Sequence, residues 1–108
     1  MRLITERKLS VTAAFVYNDI TAAGMIYEAQ KMGMKIPEEI SVLGIDDLQV
    51  CKMVNPNITT IAQPRYEQGE VSASMLLEMI NKRTVADSVL EPFLIERESC
   101  CSLNKVTQ

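Results

Sequence analysis

The stretch that most constrains the fold runs from residue 36 to residue 48 and reads I-P-E-E-I-S-V-L-G-I-D-D-L. Its apolar residues form a nearly continuous run without clean alternation: Ile40, Val42, Leu43 and Ile45. Such a run is typical of a strand covered on both faces, as strands of parallel sheets are. The run stops at Asp46-Asp47, and open α/β sheets bind ligands at the carboxyl ends of their strands. Asp46 and Asp47 are therefore the first candidate functional residues.

Two further β-favouring runs end in polar residues in the same way. They are residues 11–17, which lead into Asn18-Asp19, and residues 58–62, which lead into Gln63-Pro64. Helices are expected near 19–32 and 65–83, where apolar residues recur at three- and four-residue steps. Asp19 precedes the first helical pattern, and its carboxylate is expected to cap that helix. A fourth strand, 89–97, contains a proline and should lie at a sheet edge.

The alternation of strands and helices predicts an α/β fold with a mostly parallel sheet. Parallel crossovers are nearly always right-handed, so the three polar strand ends should lie along one edge of the sheet. With helices on both of its faces, the sheet would form a three-layer sandwich.

Composition excludes several classes of function. The chain of 108 residues fits one small domain, and its formal charge of −3 argues against a nucleic-acid surface of its own. It shows no signal-peptide pattern and no apolar run near the roughly 18 residues of a membrane span, so a cytoplasmic location without a membrane partner is expected. Without histidine no zinc site is expected, and Cys51, Cys100 and Cys101 are interpreted as reduced thiols. A redox role for the adjacent pair is the lesser alternative, since neighbouring cysteines close a strained ring.

Asn18, Asp46 and Gln63 would converge at the shared edge. A carboxylate accepts from two neighbouring hydroxyls, and each amide offers a donor and an acceptor, so the set suits a polyhydroxylated ligand. It suits catalysis poorly, because the chain has no histidine, nucleophile elbow, dinucleotide fingerprint or phosphate-binding loop. No enzyme activity, cofactor or metal is therefore expected. On spacing alone, the plainer interpretation of ordinary polar strand ends stays open.

Four blocks follow one another along the chain: T-A-A-F-V-Y-N-D-I-T-A-A-G (12–24), G-M-K-I-P-E-E-I-S-V-L-G-I-D-D (33–47), N-P-N-I-T-T-I-A-Q-P (55–64) and E-R-E-S (96–99). In this order they resemble the effector-binding domain of the lactose/galactose repressor family, which is related to the periplasmic sugar-binding proteins. The resemblance implies that Asn18, Asp46 and Gln63 contact the effector. It also implies that Asp19 caps its helix beside the ligand and that Asp47 holds the loop.

The resemblance also divides the chain. Residues 1–108 would be a partial effector-binding domain without a DNA-binding domain. Most of a C-terminal lobe would come from 10–63 and 88–99, and 64–84 would be a crossover helix belonging to the other lobe. The apolar stripe of that helix would then lack a partner, so a homodimer is expected. The stripe comprises Val71, Met75, Leu76, Met79 and Ile80. Ile20 stands where some family members have a polar ligand contact, which leaves the effector's identity open.

Three functions compete. The favoured one is the effector-sensing part of a bacterial transcriptional regulator, which binds a sugar-like ligand between two lobes and reaches DNA through a helix-turn-helix absent from this sequence. A periplasmic sugar-binding protein of a transport system would share the fold. The P-E-E-I-S-V motif and the lack of an export signal favour the regulator. A magnesium-dependent phosphotransfer or hydrolase site could use Asp46 and Asp47. Adjacent strand residues point to opposite faces, which weakens this third alternative.

Overall fold

The computed structural model describes residues 10–103, in which strands and helices alternate. The elements are β1 (Ala13–Phe15), α1 (Asp19–Lys31), β2 (Ser41–Ile45), α2 (Val50–Met53), β3 (Thr59–Ala62), α3 (Arg65–Ile80) and β4 (Phe93–Ile95). Residues 1–9 and 104–108, the two ends of the expected 1–108 domain, lie outside the described part. None of the described helices is long and apolar enough to cross a membrane.

The strands form one sheet in the order β1-β2-β3-β4. Strands β1, β2 and β3 run parallel, and β4 pairs antiparallel with β3. This confirms the α/β class and the mostly parallel sheet. The outer strands are shorter than their β-favouring runs: β1 keeps three residues of 11–17 and β4 three of 89–97. The reason is that a ladder extends only as far as its partner strand, and that β4 starts after Pro92, which has no N–H to donate.

The core lies between the sheet and the helices α1 and α2. Its buried side chains are Ala22, Ile26, Ala29, Ile36, Ile40, Val42, Cys51 and Ile58. The alternating residues of the strands face the other side of the sheet, where Phe15 pairs with Leu43 and Ile61 with Leu94. This face is more open, since Phe15 remains 65% exposed and Leu94 58%. Within residues 10–103, packing of the sheet therefore comes mainly from one helical layer.

Helix α1 begins with a side-chain cap that the sequence analysis assigned to the wrong residue. The cap is Asn18, whose Oδ1 accepts from the backbone N–H of Thr21 at 2.8 Å. Asp19 is instead the first helical residue, and it is fully buried. The helix ends at Lys31, and Gly33 just beyond it has a φ of 80°, a conformation that glycine adopts without a Cβ clash.

Helix α3 contrasts with α1 because none of its residues is buried. Leu76, Met79 and Ile80 of its apolar stripe are between 57% and 65% exposed. Val71 and Met75 are half-buried, in a crevice that the returning chain lines at Leu90. The described molecule measures 59 by 26 by 25 Å, as expected if a helix of about 24 Å extends from the sheet.

Candidate functional site

The candidate site lies at the carboxyl edge of the parallel strands. Asp46 directly follows β2, Gln63 directly follows β3, and Asn18 stands three residues beyond the end of β1. Because these strands are neighbours and run in the same direction, their carboxyl ends face the same edge. The sheet order thus brings three polar residues, far apart in the sequence, to one side of the molecule.

Two of these residues touch each other. The Gln63 Nε2 donates a hydrogen bond of 2.8 Å to Asp46 Oδ1. Asp46 is half-buried and Gln63 is exposed, so this pair has one side toward the fold and one toward solvent. Asp46 keeps its second carboxylate oxygen, and Gln63 keeps its carbonyl oxygen, for additional partners. The structure therefore joins the carboxylate and the second amide into one polar surface.

Asn18 contributes a different group to the edge. Its Oδ1 is engaged as the helix cap of α1, which fixes the orientation of the amide. The amide nitrogen forms no hydrogen bond within residues 10–103, so Asn18 presents two N–H donors at the start of α1. No contact joins Asn18 to Asp46 or Gln63 in the described part of the chain. The edge thus offers donors on one side and acceptors on the other.

The turn after β2 has an uncommon backbone. Asp46 has a φ of 108° and Asp47 a φ of 53°, a region that side chains with a Cβ avoid at a cost of about 1–3 kcal/mol per residue. Successive backbone N–H groups of this turn are all bound. Their hydrogen bonds are Asp46 N to Ile61 O at 2.9 Å, Asp47 N to Thr60 Oγ1 at 3.4 Å and Leu48 N to Asp19 Oδ2 at 2.7 Å. Contacts from β3 and α1 together offset the strain of the turn.

Asp19 lies beneath the edge rather than on it. Its carboxylate is completely buried, and Oδ1 accepts a 2.6 Å hydrogen bond from the hydroxyl of Thr60. A Cβ on Gly44 would overlap with this oxygen, so glycine in β2 is what lets the carboxylate approach the sheet. The expectation that Asp19 caps α1 is wrong, because α1 is capped by Asn18 and the buried Asp19 points into the fold.

A buried thiol shares this environment. Burial, and next to it the nearby Asp19 carboxylate, raise the pKa of Cys51 from 9.0 to about 12. Burial also raises the pKa of Cys100. Cys51, Cys100 and Cys101 are all free thiols, as the sequence analysis interpreted them. Thiols with raised pKa values are weak nucleophiles at neutral pH, and Cys51 packs in the hydrophobic core.

Asp47 faces a partner that the sequence analysis did not identify. Arg97, two residues beyond β4, donates from Nη2 to Asp47 Oδ1 at 2.6 Å and from Nη1 to the carbonyl of Ile58 at 2.9 Å. The Arg97 side chain is only 12% exposed and that of Asp47 31%. The one signal for Arg97 was its place in the E-R-E-S block, but its partner lies 50 residues away.

The two adjacent carboxylates therefore have separate partners, Gln63 for Asp46 and Arg97 for Asp47. Among residues 10–103 no group of three or more His, Cys, Asp or Glu side chains could hold a metal ion. In the part of the chain that the structure describes, Asp46 and Asp47 thus share no partner, and Asp46 and Gln63 present hydrogen-bonding groups at the carboxyl edge.

Comparison with known protein families gives a match over most of the chain. The sequence profile described as "Periplasmic binding protein-like domain" matches residues 2–100. One curated relative, the HTH-type transcriptional repressor PurR of Photorhabdus laumondii subsp. laumondii, is 39% identical over 101 residues, which are 92% of this chain and 30% of the relative. The chain thus spans about a third of that relative's length.

Solved structures agree with this assignment. A LacI family transcriptional regulator from Enterococcus faecalis V583 with bound ribose is 36% identical, with a TM-score of 0.81 over 92% of this chain and 38% of that one. The lac repressor dimer bound to operator and the anti-inducer ONPF is 27% identical, with a TM-score of 0.84 over 92% and 35%. The chain therefore belongs to the periplasmic binding protein-like domain family, in the form carried by the lactose/galactose repressors.

Proposed function

We propose that this chain is the effector-sensing part of a bacterial transcriptional regulator and that its ligand is a small polyhydroxylated molecule such as a sugar. The observation that carries the proposal is the 2.8 Å contact between Asp46 and Gln63 at the carboxyl edge of the sheet, in a chain similar to a regulator solved with bound ribose. A strand edge with a carboxylate and two amides is suited to neighbouring hydroxyl groups.

Each residue of the edge has a separate role in this proposal. Asp46 accepts from ligand hydroxyls, since one of its oxygens is not bound by Gln63. Gln63 aligns Asp46 with its Nε2 and offers its own carbonyl oxygen to the ligand. Asn18 donates from its amide nitrogen, because its oxygen is occupied at the start of α1. Asp47 and Asp19 support the turn and do not touch the ligand.

The proposal places the ligand between two lobes. Residues 10–63 and 88–99 form most of one lobe, and 64–84 crosses to the other. Support comes from α3, which has no buried residue, as expected for a helix whose packing partner is a second lobe. Ligand-induced closure of the lobes would then be transmitted to a DNA-binding domain outside residues 1–108. The chain's own charge of −3 is consistent with DNA contact by another domain.

A homodimer, a cytoplasmic location and the absence of enzyme activity complete the proposal. Exposed apolar side chains support self-association, because such surfaces commonly mark interaction sites. Tyr27 on α1 is 65% exposed, Met53 on α2 is 80% exposed, and Ile80 on α3 is 65% exposed. A relative of similar fold was solved as a dimer on its operator, and another is named a transcriptional repressor.

The test is an amide NMR titration of the ¹⁵N-labelled chain with D-ribose, followed by other pentoses, hexoses and disaccharides. We expect chemical-shift changes at Asn18, Asp46 and Gln63. Asp46→Asn keeps the size but puts an N–H₂ donor where an acceptor is needed, so affinity should fall about 10- to 150-fold. Asn18→Ala and Gln63→Ala should cost less, since hydrogen bonds between neutral groups are about half as strong.

The matched control is Glu28→Gln, which removes one negative charge from the exposed surface of α1. It should bind the sugar as the parent chain does. If a folded Asp46→Asn chain binds with undiminished affinity, or if sugars shift residues away from the carboxyl edge, the proposed site is wrong.

A further inference from the structure

We propose that Asp19 is a positioning residue for Asp46: its buried carboxylate holds the turn of residues 46–48 in the left-handed conformation that presents Asp46 at the sheet edge. The structural part of this inference stands without a ligand. The part that concerns affinity depends on the proposed function.

The first observation is the set of donors around a fully buried charge. Asp19 is 0% exposed, and burying a carboxylate is costly unless it is hydrogen-bonded. Oδ2 accepts from the backbone N–H of Leu48 at 2.7 Å, and Oδ1 accepts from the hydroxyl of Thr60 at 2.6 Å. The donors come from the turn and from β3, so one carboxylate joins two segments to α1.

The second observation is that the turn requires such a constraint. Two consecutive non-glycine residues, Asp46 and Asp47, have positive φ values, and strained residues of this kind persist only where their surroundings over-determine them. Two of the three backbone N–H groups in the turn are connected to Asp19 by hydrogen bonds. The N–H of Leu48 reaches it directly, and that of Asp47 contacts the Thr60 hydroxyl, which itself donates to Asp19.

The third observation fixes the position of the carboxylate itself. Gly44 lies beneath it, and a Cβ there would overlap with Asp19 Oδ1 and reach the Asp19 Cα at 3.4 Å. The carboxylate is therefore seated against β2 two residues before Asp46. Since Asp46 leaves the sheet directly above this contact, its direction depends on how α1 packs against β2.

The experiment compares the backbone of Asp46 in the labelled parent chain, Asp19→Asn and the matched control Glu28→Gln. NMR coupling constants that depend on φ report the left-handed conformation, and the side-chain amide signal of Gln63 reports its hydrogen bond to Asp46. We expect Asp19→Asn to lose the positive-φ couplings at Asp46 and to shift the Gln63 signal. Glu28→Gln should leave both unchanged. A merely structural role would lower thermal stability and leave the couplings of the folded chain as they are, and that result would overturn the inference.

Thr60 provides a second pair of variants should Asp19→Asn fail to fold. Thr60→Val removes the hydroxyl that connects Asp47 to Asp19, and Thr60→Ser restores it. The inference requires altered Asp46 couplings in Thr60→Val and parental couplings in Thr60→Ser. Unaltered couplings in a folded Thr60→Val chain would contradict it.

D-ribose titration of the same variants separates this inference from the proposed function. Where the parent chain binds ribose, the variant that displaces Asp46 should bind about tenfold more weakly, the loss expected when one hydrogen bond to a charged group is misaligned. If a variant has altered Asp46 couplings but binds the sugar as tightly as the parent chain, the proposed role of Asp46 in binding is wrong. The positioning of Asp46 by Asp19 would then still stand. If the folded variants keep the Asp46 couplings of the parent chain and bind ribose normally, Asp19 does not position Asp46. The proposed function would then still stand.

Discussion

The turn at residues 46–48 and the helix α3 are held in the fold in opposite ways. Every backbone N–H of the turn is bound by a residue of another segment, and the side chains of Asp46 and Asp47 are each bound as well. Helix α3 has internal hydrogen bonds but no buried side chain. A strained turn that is fixed by several hydrogen bonds suits a binding site that needs accurate geometry. A helix with exposed apolar side chains suits a surface that packs against a partner.

The largest expected effect tests this contrast with the same truncation in two helices. Ile26 in α1 is 1% exposed and Ile80 in α3 is 65% exposed. Ile26→Ala should lower the free energy of unfolding by about 2–5 kcal/mol because it leaves a cavity in the core. At a protein concentration low enough to keep the chain monomeric, Ile80→Ala should change it by less than about 0.5 kcal/mol. Urea unfolding followed by circular dichroism, at two protein concentrations, measures both. A comparable loss in both variants would show that α3 is packed in solution and would remove the contrast.

The second prediction compares two glycines. Gly44→Ala places a Cβ against the Asp19 carboxylate, and a Cβ on Gly69 in α3 meets nothing within 4 Å. We expect Gly44→Ala to destabilise the chain by about 1–3 kcal/mol through overpacking. Gly69→Ala should not destabilise it and should favour the helix by up to about 1 kcal/mol. The same unfolding measurement applies, and a neutral Gly44→Ala would mean that the carboxylate is not seated against β2.

The third prediction compares two ion pairs. Asp47→Asn leaves Arg97, whose side chain is 12% exposed, without its charged partner. This should lower the free energy of unfolding by about 1–3 kcal/mol. Glu28→Gln removes the surface pair with Lys31, in which the side chains are 43% and 56% exposed, and should cost less than about 0.5 kcal/mol. Equal small effects would indicate that Arg97 does not hold the turn.

The smallest expected effect concerns pH and the thiol beside Asp19. The pKa of Cys51 is raised from 9.0 to about 12 in the folded chain, so the folded state keeps a proton that the unfolded state releases above about pH 9. Stability should therefore decline as pH rises through this window, by about 1 kcal/mol between pH 8 and pH 10. Cys51→Ala is the control, and its unfolding free energy should fall less over the same interval. If the unfolding free energies of the parent chain and Cys51→Ala depend on pH in the same way, folding does not raise the pKa of Cys51.

Much of this architecture was predictable because its signals are local. The apolar run before Asp46 predicted β2, which the structure places at Ser41–Ile45. The helical periodicity near 19–32 and 65–83 predicted α1 and α3, and the polar residues after each run predicted the carboxyl edge. Of the three candidate ligand residues at that edge, the structure joins Asp46 to Gln63 and gives the oxygen of Asn18 to the helix.

The errors arose where a residue had two physically reasonable roles. Asn18 and Asp19 are both good helix caps, and the sequence gives no distance between Asp19 and Thr60, which are 41 residues apart. Gly44 leaves room for a close neighbour, but the sequence does not show that this neighbour is Asp19. Arg97 was similarly unassigned, because long charged side chains most often lie at the surface.

The sequence by itself determined the order of strands and helices, their polar ends and the family resemblance, because periodicity, turn residues and block order are properties of neighbouring positions. The tertiary structure decided that Asp19 is buried, that Arg97 pairs with Asp47, and that Asp46 leaves the sheet with a positive φ. These depend on strand register and on the packing of α1 against β2, which bring together residues 29 to 50 positions apart. No local pattern encodes which of several possible partners such a side chain meets.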